Sequence, residues 1–219
     1  MNTNVNTQIR DTNINSILRN TYQLLSATLL FSGLMAYFAM SLNLPNFGFL
    51  ITLGGYFGLL YLTNKFKNSS YGILAVFALT GFMGLTLGPI ISAYTTTFSN
   101  GSELIAMAMT GTGLIFLSLS FYAVTSGKDF SFLSGFLTAG VIVAFLAGIA
   151  AYFFAIPALS LTVSVAFILL MSGLILFETS NIIHGGETNY IMATVTLFIS
   201  IYNLFLSLLQ LLGVFSGED

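Results

Sequence analysis

The sequence predicts an all-α polytopic membrane protein with seven transmembrane helices. Three observations carry that expectation. Charged residues make up 5% of the 219 residues and hydrophobic residues 56%, with 22 Phe. An ordinary soluble domain carries about 25% charge, and five Lys and Arg with seven Asp and Glu cannot solvate a surface of this size. Apolar stretches recur along the chain at the length of a bilayer crossing, about 20 residues for a core of roughly 30 Å. The gaps between them are short and rich in Asn, Ser, Gly and Pro.

Taken in order, the predicted helices are 21–43, 46–64, 71–95, 103–124, 131–154, 157–183 and 190–214. The first ends at Asn43-Leu44-Pro45-Asn46, where Pro45 disfavours helical backbone before it. Lys65 to Ser70 ends the second, and Ser99-Asn100-Gly101-Ser102 separates the third from the fourth. Ser126-Gly127-Lys128-Asp129 ends the fourth. Ile156-Pro157 is the whole break between the fifth and sixth, with Pro suited to a first helical turn. His184 to Asn189 turns the chain into the seventh. Strands of an outer-membrane barrel are excluded, because the segments are too long and lack alternation.

Loops this short leave room for one transmembrane domain, 21–214. A polar tail, 1–20, precedes it and a short acidic tail, 215–219, follows. The tail from Met1 to Asn20 is rich in Asn and Thr and is expected to be disordered. No h-region opens the chain, so the first helix is expected to act as an uncleaved anchor. With seven crossings, Arg10, Arg19, Lys65, Lys67 and Lys128 fall on one side, and Glu103, Glu218 and Asp219 on the other. The positive-inside rule then predicts a cytoplasmic N-terminus and a C-terminus outside. Gly54-x-x-x-Gly58 and Gly84-x-x-x-Gly88 have the spacing that brings helix backbones close, and Pro89 is expected to bend the third helix.

The same composition excludes several functions. Five basic residues form no nucleic-acid patch, and the absence of cysteine removes disulfide and thiolate chemistry. His184-Gly185-Gly186-Glu187 offers too few ligands for a metal, and Gly-Gly is first a turn. No Ser/His/Asp arrangement forms without placing His184 in a surface loop. No catalytic residue, metal or cofactor is expected.

Two polar features remain inside the membrane. The seventh helix carries Thr196, Ser200, Asn203, Ser207 and Gln210 at steps of four, three, four and three, which keeps them on one face. That face turns toward other helices as hydrogen-bonding glue or toward water as a pore lining. Glu178 lies about one and a half turns inside the end of the sixth helix. Folding the two helices back through 184–189 sets it level with about residue 195, near Thr196 and Ser200, with Asn203 a turn deeper and Asn181 one turn along its own helix. A carboxylate at that depth pairs or takes up a proton. It is either a proton- or cation-sensing group at a cavity mouth or a side chain that snorkels to the headgroups or caps loop groups.

"LRNTYQLLSATLLFS", "GFMGLTLGPI", "KDFSFLSGFL" and "ILFETSNIIHGGETNYIMATV" resemble the transmembrane Bax inhibitor motif family, and are most similar to its bacterial YccA branch. The resemblance implies seven helices with the last surrounded by the other six, in the bacterial inner membrane. It implies a non-enzymatic protein that binds and modulates the membrane-anchored ATP-dependent protease FtsH. The tail from Met1 to Asn20 would then be the segment the protease engages. Other members of the family behave as pH-sensitive Ca2+ leak channels with an aspartate pair as sensor. The matching positions here are Glu178 and Ser200, so one of the two acids is missing. A shared-proton pair needs both.

Overall fold

In the computed structural model the backbone is described for residues 2–217 and side chains for residues 13–217. Seven α-helices and one short 3-10 turn follow one another: α1 (Asn2–Ser41), α2 (Gly48–Phe66), α3 (Tyr71–Thr97), α4 (Gly101–Ser126), a 3-10 turn (Ser131–Leu133), α5 (Ser134–Phe153), α6 (Pro157–Ile183) and α7 (Tyr190–Ser216). The described part is helical without strands. Among the described residues, six helices are long and apolar enough to cross a membrane: α1 from Asn13, α3, α4, α5 with its preceding turn, α6 and α7. α2 is the exception. Its 19 residues span about 28 Å at 1.5 Å per residue, but Gly54, Gly55 and Gly58 dilute its middle and Asn64 and Lys65 its end.

Helix ends follow from local chemistry. At the end of α1, Asn43 adopts a left-handed φ of 49°, and Leu44 N–H reaches Ala39 O at 3.0 Å. α5 closes the same way through Ala155 (φ 49°), with Ile156 N–H on Ala151 O at 3.1 Å. Both are six-to-one closures of the Schellman type. α4 ends on Gly127 at φ 60°, a conformation glycine adopts without a Cβ clash. The expected uncoiled leader differs over residues 13–20, which are helical. Ile14 and Leu18 precede the buried Thr21 and Leu25 at near four-residue steps, so an inward stripe carries the helix back from the membrane. The rest of that leader lies outside the described side chains.

The chain divides into two compact units. One comprises the chain up to Thr96 with Ile182–Phe198, the other Thr97–Asn181 with Ile199 onward. In the first unit α3 lies against α1 through glycine. A Cβ at Gly84 would collide with the Ser32 carbonyl, and one at Gly88 would sit 2.5 Å from Ala39 Cβ and 2.8 Å from Ala36 O. Here the small-residue spacing does what it predicts. The second such pair does not. Gly54 and Gly58 are exposed, with no heavy atom within 4 Å of where a Cβ would stand, and Gly55 packs on the Phe82 ring instead. Phe31 and Phe77 meet edge-on at 5.3 Å. In the second unit α5 and α6 interlock, with Gly140 under Leu170 and Gly173 under Leu137. Asn100 and Ser216 exchange two side-chain hydrogen bonds, 2.8 and 3.1 Å, tying the start of α4 to the end of α7.

Burial is uneven. Half of the α7 span is buried, against 11% of the span containing α5. The outer faces carry large apolar groups, among them Leu50, Phe121, Phe136, Val143 and Leu169, each more than 60% exposed. Exposed apolar side chains at this density suit hydrocarbon rather than water.

Candidate functional site: two polar clusters along α6

α6 runs 27 residues without a Lys, Arg or Asp, and Glu178 is its single ionisable side chain. Glu178 is 4% exposed, and its Oε1 is shut off from solvent. That burial does not suit a side chain that snorkels to the headgroups. The next two residues, Thr179 and Ser180, are also buried. Thr179 Oγ1 lies 3.4 Å from Ser120 Oγ on α4. Ser180 Oγ accepts from Phe130 N–H at 3.0 Å and donates to Lys128 O at 3.1 Å, so α6 holds the α4–α5 connection at two nearby backbone groups. Within that connection Asp129 Oδ1 accepts from Ser131 N–H at 2.8 Å. Lys128 directs its Nζ toward Tyr122, 3.4 Å from the hydroxyl. Asn181 is half-buried.

All five residues of the α7 stripe are turned at least partly inward. Ser200 and Ser207 are buried, and Thr196, Asn203 and Gln210 are half-buried. Asn203 Nδ2 donates to Ile199 O at 2.9 Å, within its own helix. Thr196 belongs to the first compact unit, whereas Glu178, Ser200, Asn203, Ser207 and Gln210 belong to the second.

A second cluster gathers at the opposite end of α6. Gln210 Nε2 donates to Ser160 Oγ at 2.6 Å, and Ser164 Oγ donates to Gln210 Oε1 at 2.8 Å. These groups border a half-open cavity of about 330 Å3, whose other walls include Gly148, Ala151 and Tyr152 of α5, Phe167 of α6 and Ser207 of α7. Ser160 and Ser164 are partners that sequence reasoning missed. Their four-residue spacing on α6 was the available signal, hidden because serine in a membrane helix usually bonds its own backbone.

The 184–189 loop is structural. Asn189 Oδ1 accepts from Ile191 and Met192 N–H at 3.0 and 3.1 Å, which caps α7. Its Nδ2 reaches Lys67 O at 3.0 Å and Asn68 Oδ1 at 2.8 Å. Glu187 Oε1 accepts from Asn189 N–H at 2.6 Å. Among the described residues no three His, Cys, Asp or Glu side chains gather as a metal site would require.

Residues 14–217 match the family model Bax1-I, described as Inhibitor of apoptosis-promoting Bax1. The chain is similar to "Modulator of FtsH protease YccA" of Escherichia coli K12, with 51% identity covering 93% of this chain and 91% of that one. It is equally similar to "Inner membrane protein YccA" of a second E. coli strain, over the same shares. An uncharacterized protein of Pseudomonas aeruginosa is 50% identical across 94% of this chain and 92% of its own. A family model that takes in nearly every described residue, with relatives at half identity along almost their whole length, establishes that the chain belongs to the Bax1-I family.

Proposed function

We propose that this protein is a multi-pass inner-membrane modulator of the FtsH protease, acting by binding rather than by chemistry of its own. The observation that carries the reading is the 51% identity to the E. coli protein of that name, across 91% of its length. In this reading α2 also crosses, making seven spans. Leu50, Ile51 and Tyr61, each more than 60% exposed along α2, support that. α7 is the central helix, which its burial favours. The N-terminus is cytoplasmic and the C-terminus periplasmic, because with seven spans the connections that carry Lys65, Lys67 and Lys128 come on the N-terminal side by count of crossings. The tail from Met1 to Asn20 is the segment the protease engages, and the packed helices behind it resist extraction.

The deciding experiment measures FtsH degradation of a second membrane substrate in proteoliposomes, with and without this chain. Slowed degradation together with co-purification is expected. Unchanged degradation and no co-purification would overturn the reading. Deleting residues 2–15 should lengthen the half-life of the protein in cells that contain FtsH and leave it unchanged in cells that lack it. Reporters fused at the two termini should be active on opposite sides of the membrane.

A second reading, a pH-sensitive Ca2+ leak, is favoured by one observation: a carboxylate at Glu178 enclosed within a membrane helix. Ser200 opposes it, because it supplies no second acid. Ser200→Asp restores two acids. If that variant and the parent both fail to pass Ca2+ across a range of pH, the leak reading is excluded.

A further inference from the structure

The cavity at the start of α6 has a composition unlike that of an ion path. Its lining contains no Asp, Glu, Lys, Arg or His. Its polar side chains are neutral, chiefly Ser160, Ser164, Ser207 and Gln210. Val163, Phe167 and Leu206 supply apolar wall beside them. The space exists because α5 presents Gly148 and Ala151 there. A Cβ on Gly148 would meet Val163 at an ordinary 3.6 Å, so a small side chain would fit and none is present to fill the gap.

Its depth follows from helix rise. Ser160 is three residues from the start of α6, Gly148 five from the end of α5 and Gln210 six from the end of α7. At 1.5 Å per residue these groups lie about 5–9 Å from one end of the helices. α6 with 27 residues is about 40 Å long, the thickness of a bilayer with its interfacial layers. The cavity therefore opens where glycerol gives way to acyl chain. Tyr152, Phe153 and Phe154, each 63–74% exposed, stand at that level as an interfacial aromatic belt does.

We propose that this cavity holds the glycerol–ester segment of a membrane lipid. Gln210 retains a second N–H on Nε2 beyond the one given to Ser160. Ser207, 7% exposed, takes no part in the Ser160–Gln210–Ser164 chain. Both donors suit an ester carbonyl, while Val163, Phe167 and Leu206 accept the first methylenes. With no charge in the lining, the headgroup is left outside and is not selected. An ester is recognised and an ether is not, because an ether lacks the carbonyl oxygen. The inference needs the helices to cross the bilayer and is independent of any protease.

The test uses the full chain purified in detergent, with native mass spectrometry reading retention of added lipid. Diester and diether phosphatidylcholine with identical chains are compared. About fivefold tighter retention of the diester is expected from one net hydrogen bond. Exchanging choline for ethanolamine or glycerol headgroups should change retention less than about twofold, since no charged group lines the site. Gly148→Leu fills the space, and Ser207→Ala removes one donor with little change of shape. The first should abolish the ester preference and the second reduce it. Equal retention of diester and diether by the unaltered chain overturns the proposal, whatever the variants do. So does an ester preference that survives in a folded Gly148→Leu. If millimolar free glycerol displaces the lipid as well as excess diester does, the site takes a soluble polyol and the lipid assignment fails.

Discussion

The two ends of α6 solve the same problem in opposite ways. At one end Glu178, Thr179 and Ser180 are all under 5% exposed, and the neighbouring hydroxyls are engaged with α4 and with the loop that follows it. At the other, Ser160, Ser164 and Gln210 satisfy one another beside a half-open cavity. The difference is charge. An ionised carboxylate facing lipid is expensive, and at this end Glu178 is turned away from it and enclosed by protein. Neutral amides and hydroxyls cost far less to leave near lipid, so their cluster remains open. The closed end suits a fixed structural or sensing role, the open end a guest.

Moving the charge should break the contrast most. Gln210→Glu replaces the donor to Ser160 by an acceptor and introduces a carboxylate into the open cluster. A loss of about 2–3 kcal/mol is expected, read as a lower midpoint of thermal unfolding in detergent. An unchanged midpoint at neutral pH would mean that the open end tolerates charge as well as the closed one.

Next comes the clamp on the α4–α5 connection. Ser180→Ala leaves Phe130 N–H and Lys128 O without that partner. About 1–2 kcal/mol of local stability should be lost. Hydrogen exchange at residues 128–133 should rise while α5 itself stays protected. If exchange rises throughout α5 and α6, the clamp is part of the global core and not a local latch.

Glu178→Gln should have a smaller effect on stability and a diagnostic effect on pH response. It keeps size and hydrogen-bonding capacity while removing charge. Folding should be unchanged or slightly improved, and any pH dependence of conformation, followed by protease accessibility of the 184–189 loop, should disappear. Persistence of that dependence would remove Glu178 from it.

The smallest effect belongs to Thr179→Val. The contact with Ser120 is long, at 3.4 Å, so about 0.5 kcal/mol is expected. A loss above about 2 kcal/mol would mark Ser120–Thr179 as a principal link between α4 and α6 rather than a weak one.

Much of this was legible in the order of residues. α6 runs from Pro157 to Ile183 as its apolar length and flanking residues predict, and α3 and α7 begin at Tyr71 and Tyr190 as expected. Hydrophobic length and turn residues act locally, so a reader of the chain sees them. The inward set of the α7 stripe was legible for the same reason, since periodicity assigns a face. Periodicity does not say what the face meets. Gly84 and Gly88 pack against α1, while Gly54 and Gly58, with identical spacing, pack against nothing. Glu178 is 4% exposed, and the two residues after it meet groups distant in sequence, Ser120 on α4 and the 128–130 connection. The serines that meet Gln210 lie 46 and 50 residues away, and the cavity beside them exists because two small residues of α5 face that level. Length, composition and period therefore determined that the chain is helical, apolar and suited to a membrane. Which polar groups are sealed and which stay open was decided by tertiary packing, because the cost of a buried polar atom depends on what surrounds it in space.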